Sequence, residues 1–268
     1  MNRRFLLVAI FCIGSLVIPN LFGYPPAAAT SNITETELIR DAFDPELYKK
    51  LNTVDALVEH INTTYKGRKN SIDFLHYIAN VISLRFYHGY SYYSQNDNWV
   101  AAFSGFAIWD DLSAIVLPDD ILKHPHAACS QQSIILMECA KRFGMDFRKI
   151  LFAHHFAVEI KAEGKWNYID VDQEVICMDK SLEDLMNEGK FLSLYKTKLP
   201  GTQAAKVLAD PKYGQINSEG ASRAVKFHQI SGWLSSYIFI IIFALQILFY
   251  YHFKQKTSDL VTRQSFNF

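Results

Sequence analysis

The chain has 268 residues, is 50% hydrophobic and 14% aromatic, and balances 27 Lys and Arg against 27 Asp and Glu to a formal net charge of zero. That balance excludes the basic surface on which nucleic-acid binding rests, so no nucleic-acid partner is expected. Of four cysteines, Cys12 falls in the first apolar run. Cys129, Cys139 and Cys177 form an odd set that excludes a disulfide framework and leaves one free thiol. In an oxidising compartment, a bridge between Cys139 and Cys177 is the pairing that leaves Cys129 free.

Asn2, Arg3 and Arg4 precede an apolar run over 5–22 and a small-residue stretch ending in Ala27-Ala28-Ala29, the order of an export signal. Residues 1–29 therefore read as a signal peptide or N-terminal membrane anchor, with Pro19 and Asn20 counting against the anchor. Residues 30–196 follow as one globular domain, which the signal places outside the cytoplasm. Asn32 and Asn62 head glycosylation sequons. Apolar residues at helical spacing predict a helix over 44–65, starting at Asp44-Pro45-Glu46 and ended by Gly67, and a second from Ser71 to about residue 85. In the aromatic segment 86–93, Tyr87, Tyr90, Tyr92 and Tyr93 either line a groove or, on the plainer reading, cover the core with hydroxyls toward water. Residues 96–128 carry no clear period and read as a long approach to the next helix. Within it, Pro125 between His124 and His126 favours a surface turn over a metal site.

Helix 129–143 is apolar almost all round, which implies burial, and Gly144 supplies its stop. Cys129 opens it, near unpaired backbone N–H groups and the positive end of the dipole, a setting that favours the attacking form of a thiol. Gln131 and Gln132 in its first turn read as solvated or capping residues. Two strands follow, over 152–160 and 166–172. Alternation puts His155 on the face away from Phe156, Val158 and Ile160, and Asp170 and Asp172 away from Ile169 and Val171. A four-residue connection, 161–164, sets His155 opposite Asp170; a two-residue turn at Glu163-Gly164 favours Asp172. Asp170 is the first choice and Asp172 the reserve. His154 reads as a structural histidine, and Glu159 as a rim charge or a partner of Lys165. A short helix over 182–192, a polar tether over 197–229, a transmembrane helix over 230–251 and a cytoplasmic tail over 252–268 complete the chain.

Four ordered blocks resemble the transglutaminase-like superfamily, which joins a papain-like cysteine core to many bacterial proteins of diverse activity. They are Ala128-Cys129-Ser130-Gln131-Gln132, Phe143-Gly144-Met145-Asp146-Phe147-Arg148, the run from His155 through Ala157 and Glu159 to residue 160, and Gly164-Lys165-Trp166-Asn167-Tyr168-Ile169-Asp170. The resemblance implies an α+β fold with N-terminal helices, a catalytic helix packed on an antiparallel sheet, and a bacterial-type membrane-anchored member. It implies Cys129 as nucleophile, His155 as base and Asp170 as its orienter. Where the family often has Gly before the Cys, this chain has Ala128. Its oxyanion donors are the Cys129 N–H and, as second, Trp99, Trp109 or none.

The expected function is acyl transfer on amide or ester bonds, as a hydrolase or protease rather than a transamidase, with no cofactor and no metal. Its substrate is a protein, a peptide or a cell-envelope polymer, and its membrane contact is the C-terminal helix. The alternative is a catalytically inactive transglutaminase-like module that binds or assembles an envelope complex.

Overall fold

The computed structural model describes residues 43–177, 179–199 and 201–265, so the expected export segment, Cys12 and the sequon at Asn32 lie outside the described residues. Two short helices open it. In α1 (Pro45–Lys50) the Asp44 carboxylate accepts from the backbone N–H groups of Glu46 and Leu47 at 2.8 and 3.2 Å. In α2 (Val54–Thr64) Thr53 caps the start, accepting from Ala56. The single helix expected over 44–65 is therefore broken. Thr53 takes a cap conformation, and the freed N–H of Val54 donates to the Asp119 carboxylate at 2.8 Å. Helix α3 (Ile72–Arg85), capped by Ser71, forms as its periodicity predicts and buries Phe74, Leu75, Ile78 and Ile82.

The approach over 96–128, expected to be irregular, is largely folded. Strand β1 (Tyr87–His88) leads to α4 (Gln95–Ala107), whose start is closed by Ser94 and Asp97, each bonding the other's backbone region. This helix escapes a periodicity search because Phe103 and Phe106 point outward and Asn98 interrupts it with φ −155° and ψ 82°. A 3₁₀ turn at Asp110–Leu112, the short α5 (Pro118–Ile121) and β2 (His126–Ala127), parallel to β1, complete the approach.

Helix α6 (Cys129–Arg142) is the central element, with Ile135, Leu136, Cys139 and Ala140 fully buried and Gly144 at φ +69° ending it. Cys139 is a free buried thiol, not half of a bridge to Cys177, and burial pushes it up to about 12. Against α6 lies an antiparallel sheet of β3 (Phe147–Leu151), β4 (Phe156–Ala162), β5 (Lys165–Asp170), β6 (Val175–Cys177) and β7 (Lys212–Tyr213), in the order β6-β5-β4-β3-β7. The strand expected over 152–160 starts only at Phe156, after a turn in which the Phe152 N–H donates to the His155 carbonyl at 2.9 Å. The β4–β5 connection is the two-residue turn. Glu163 and Gly164 sit at φ 51° and 83°, and Ala162 faces Lys165.

Both faces of this sheet are covered. Val158, Ile160 and Ile169 join the core under α6, and Ala157 and Tyr168 join a second core with Leu182, Leu185, Phe191 and Tyr195. The second core comes from α7 (Leu182–Asn187), a 3₁₀ turn at Phe191–Tyr195 and α8 (Gly201–Val207). It corrects two expectations. Glu159 is no rim charge: it is fully buried, pairs with Arg148 at 2.6 Å and accepts from the N–H of Leu182 at 2.6 Å, while Lys165 lies 3.6 Å from Asp179. The polar segment 197–229 is no tether. Ala204 and Leu208, one helical turn apart, bury in the second core, and β7 extends the sheet.

The final helix, α9 (Ser222–Ser265), begins inside that segment and docks on α4. Asn98 donates to Ser231 Oγ and accepts from Ser235 Oγ, both at 2.8 Å, and the Trp99 indole donates to the Ser235 carbonyl at 3.1 Å. Among the described residues no single helix is long and apolar enough to cross a membrane. Ser222–Ile238 and Ile240–Tyr251, bent by 49°, meet that test only together, in place of the one straight span expected over 230–251.

Candidate functional site

Cys129 is the first residue of α6, half-buried, and the helix's earliest N–H groups lack intrahelical acceptors by geometry. Its cap residue Ala128 has no polar side chain, and Gln131 supplies the fastening instead. The Gln131 amide oxygen accepts from the N–H groups of Ala128 (3.2 Å) and Ser91 (2.9 Å), and its NH₂ donates to the carbonyls of Ser91 (2.9 Å) and Ile115 (2.8 Å). Gln131 is thus a capping residue, as expected, but buried and fully engaged rather than solvated. It ties the approach segment to the helix start and fixes where the thiol points.

His155 is the last residue before β4 and is buried. Its Nε2 stands 2.6 Å from the Asp170 carboxylate, which leaves Nδ1 as the ring nitrogen free to serve Cys129, whose thiol is near enough to help raise the imidazole's pKa. Burial alone lowers the imidazole's pKa. The Asp170 charge and hydrogen bond, joined by the contact with Cys129, outweigh it and raise His155 to about 11. In the observed register, where Val158 faces Ile169, the position across from His155 is that of Asp172. Asp170 is reached diagonally because His155 lies past the strand's end. Asp170, not Asp172, is thus the carboxylate bonded to His155, although the four-residue connection that suggested it does not form. His154, expected as the structural histidine, is exposed in the turn before His155.

Asp170 is held from three sides, accepting also from Tyr195 Oη at 2.8 Å and the Gln173 N–H at 3.2 Å. A carboxylate only accepts, so Tyr195 donates to Asp170, and Tyr168, 2.6 Å from Tyr195 Oη, donates to Tyr195. Burial, then the Asp170 charge, pushes the Tyr195 hydroxyl well above the ordinary phenol range. Sequence reasoning missed this pair. Tyr195 stands 25 residues from Asp170 in a stretch with no strand or helix period.

Asp172 serves a separate contact, 2.5 Å from His88 Nδ1, and accepts from Gln173 Nε2 (2.8 Å) and Gln132 Nε2 (3.3 Å). Burial would raise its pKa, but the His88 bond outweighs that and lowers it. His88 had no sequence signal, since its strand is two residues long. The Oε1 of Gln132 is buried without a partner among the described residues, an acceptor left open beside the site.

Ligand atoms of His155, Asp170 and Asp172 lie within 4.8 Å of one another and are the set that a divalent cation would use. His155 Nε2 and Asp170 are committed to each other, so a metal would have to break the bond that turns Nδ1 toward Cys129. His124 and His126 join no such cluster among the described residues. Of the expected oxyanion donors, Trp99 is committed to Ser235, whereas Trp109 is exposed and lines an apolar cavity next to Ser130. The tyrosines divide. Tyr87 and Tyr93 are buried, Tyr93 Oη bonding Asp120 at 2.6 Å, and Tyr90, half exposed, lines the same cavity.

The arrangement places a thiol, an imidazole and a carboxylate in sequence, with the imidazole protonated through neutral pH. Comparison with family models, with characterised proteins and with solved structures yields no match for this chain.

Proposed function

We propose that this protein is a membrane-tethered cysteine acyl-transfer enzyme of the transglutaminase-like, papain-cored kind, acting outside the cytoplasm on amide or ester bonds through Cys129, His155 and Asp170. The observation that carries the reading is the buried His155, bonded through Nε2 to Asp170 and interacting with the thiol that opens α6. Cys129 Sγ attacks the carbonyl carbon, and the developing oxyanion lies near the free N–H groups of the helix start. The His155 imidazolium gives its Nδ1 proton to the leaving amine or alkoxide, and the bond to that group breaks. His155 then takes a proton from water, the hydroxide attacks the thioester, and the thiol leaves with that proton. Asp170 keeps the ring oriented and stabilises its charge throughout. Water as acceptor makes a hydrolase, in line with the absence of any demonstrated amine pocket among the described residues. Support for the tether is the apolar exposure of α9, where Leu248, Phe249 and Tyr251 are each more than half exposed.

The test is acetylation by p-nitrophenyl acetate, followed by intact mass and a nitrophenol burst in the full chain and in Cys129→Ser and His155→Ala. An acetyl adduct mapped to Cys129, absent from Cys129→Ser and slowed in His155→Ala, supports the reading. No adduct on Cys129 in a folded protein turns it to the silent binding or assembly module.

A further inference from the structure

Cys129 as the nucleophile, the reading on which this inference rests, needs room beside it for the acyl group it accepts. A cavity of about 560 Å³ has Ser130 and Phe156 in its wall, the chain neighbours of Cys129 and His155. That volume is within the range of about 300–1,000 Å³ usual for small-molecule sites. One wall is α6, through Ile134 and Met137, and the wall facing it is the start of α9, through Ala224, Phe227 and His228. The charged residues that line it, Asp111 and Arg223, are exposed, and the Lys149 amine is committed to the Gly220 carbonyl at 2.8 Å.

We propose that this cavity receives the hydrocarbon chain of an acyl donor drawn from the bilayer, so that the group carried on Cys129 is a long-chain acyl thioester. Three observations converge on that occupant. The lining is mainly apolar and includes the chain neighbours of Cys129 and His155, Ser130 and Phe156. The same helix that walls the cavity continues as the apolar segment Ile240–Tyr251, so the cavity and the expected membrane segment share one element. Trp109, 61% exposed, lines the cavity, and Phe103 (63%), Phe106 (88%) and Ile108 (76%) precede it on the element docked to α9. So much clustered apolar surface marks a contact with another apolar phase, and the one already implied beside it is the bilayer. A peptide in the same place would need a series of backbone partners. Of the buried polar groups here, His228 donates its Nε2–H to the Leu112 carbonyl at 3.0 Å, and its Nδ1 is one acceptor without a partner among the described residues.

The chemistry is that of the proposed site with the acyl group specified. Cys129 sulfur bonds to the acyl carbonyl carbon, the carbon–oxygen bond to the lipid alcohol breaks, and the alkoxide takes the His155 proton. Water then cleaves the carbon–sulfur bond, giving a fatty acid and the restored thiol.

The test uses the full chain in non-ionic micelles with p-nitrophenyl acetate, butyrate, octanoate and laurate, beside Ala224→Trp, which fills the cavity from α9. The expected result is kcat/KM rising ~4-fold per methylene over the first several carbons, and a fall of at least about 10-fold in octanoate-over-acetate selectivity in Ala224→Trp. The profile of the unaltered protein decides the matter even if that variant does not fold. A flat profile with Cys129 still acetylated overturns the hydrocarbon-chain inference and leaves the acyl-transfer reading standing, as does faster turnover of an apolar peptide anilide. Failure of every ester to acylate Cys129 overturns both.

Discussion

Nε2 of His155 and the carboxylate of Asp170 meet at 2.6 Å across a diagonal of the β4–β5 pair, not straight across it. The diagonal matters because it frees Asp172, the residue in direct register, to bond His88 at 2.5 Å. Asp170 at the end of β5 and Asp172 in the turn after it thereby hold two different histidines. Asp170→Asn is expected to lower kcat/KM by ~10²–10⁴, since an amide admits the wrong imidazole tautomer. Asp172→Asn is expected to cost less, no more than ~10-fold, because Asp172 acts on His155 through charge and not through a hydrogen bond that sets its tautomer. Steady-state kinetics on one activated ester compares them.

The raised pKa of His155 has a stability consequence with a definite sign. The group binds its proton more tightly folded than unfolded, so its contribution is full below about pH 6.5. It is lost as pH climbs toward the folded value of about 11. Urea titrations at stepped pH should show the native protein's advantage over His155→Gln largest in mild acid and shrinking through the alkaline range. An advantage that grows with pH would show that the imidazole is not held protonated.

Tyr195 is expected to act through Asp170. Removing its hydroxyl in Tyr195→Phe strips one of three donors from a buried carboxylate and leaves Tyr168 Oη facing a ring edge. The expected loss is ~1–3 kcal/mol of unfolding free energy. Alkylation of Cys129 at neutral pH should slow as well, a readout that loss of packing alone would not move in a protein still folded.

Arg85 is the structural counterpart on the other side of the core. It is fully buried, donates to the carbonyls of Leu51, Leu122 and His124, and stacks within 5 Å of the Tyr48 and Phe86 rings. Burial lowers its pKa to about 10. Arg85→Met leaves those carbonyls without donors and is expected to cost at least ~3 kcal/mol, read as a lowered urea midpoint.

Helix α6, its glycine stop and α3 were legible in the sequence because they depend on local patterning, and so was the nearness of His155 to the Asp170 and Asp172 pair, though not which of the two it bonds. Residues within one hairpin and one helix start carry their partners in nearby sequence. The β4–β5 register was not legible, because it depends on whether Glu163 adopts the positive φ of a two-residue turn. Alternation misassigned Phe152 and His154 because they lie in a turn before β4, and Glu159 because the sheet is covered on both faces, the second cover being assembled from distant, polar-looking sequence around 182–208. Helix α4 was hidden by its outward aromatics, the same residues that suggest a bilayer contact. Tyr195, His88 and Arg85 act through partners far away in the chain, which no local period encodes.

The central claim is that His155, held by Asp170, governs the Cys129 thiol. The most direct test is the rate of iodoacetamide alkylation of Cys129, resolved by peptide mass spectrometry from about pH 5 to 9, in the full chain and in His155→Ala. The native thiol is expected to react faster than that of His155→Ala, and the two pH profiles to differ in shape as well as height. Identical profiles in the two proteins would contradict it.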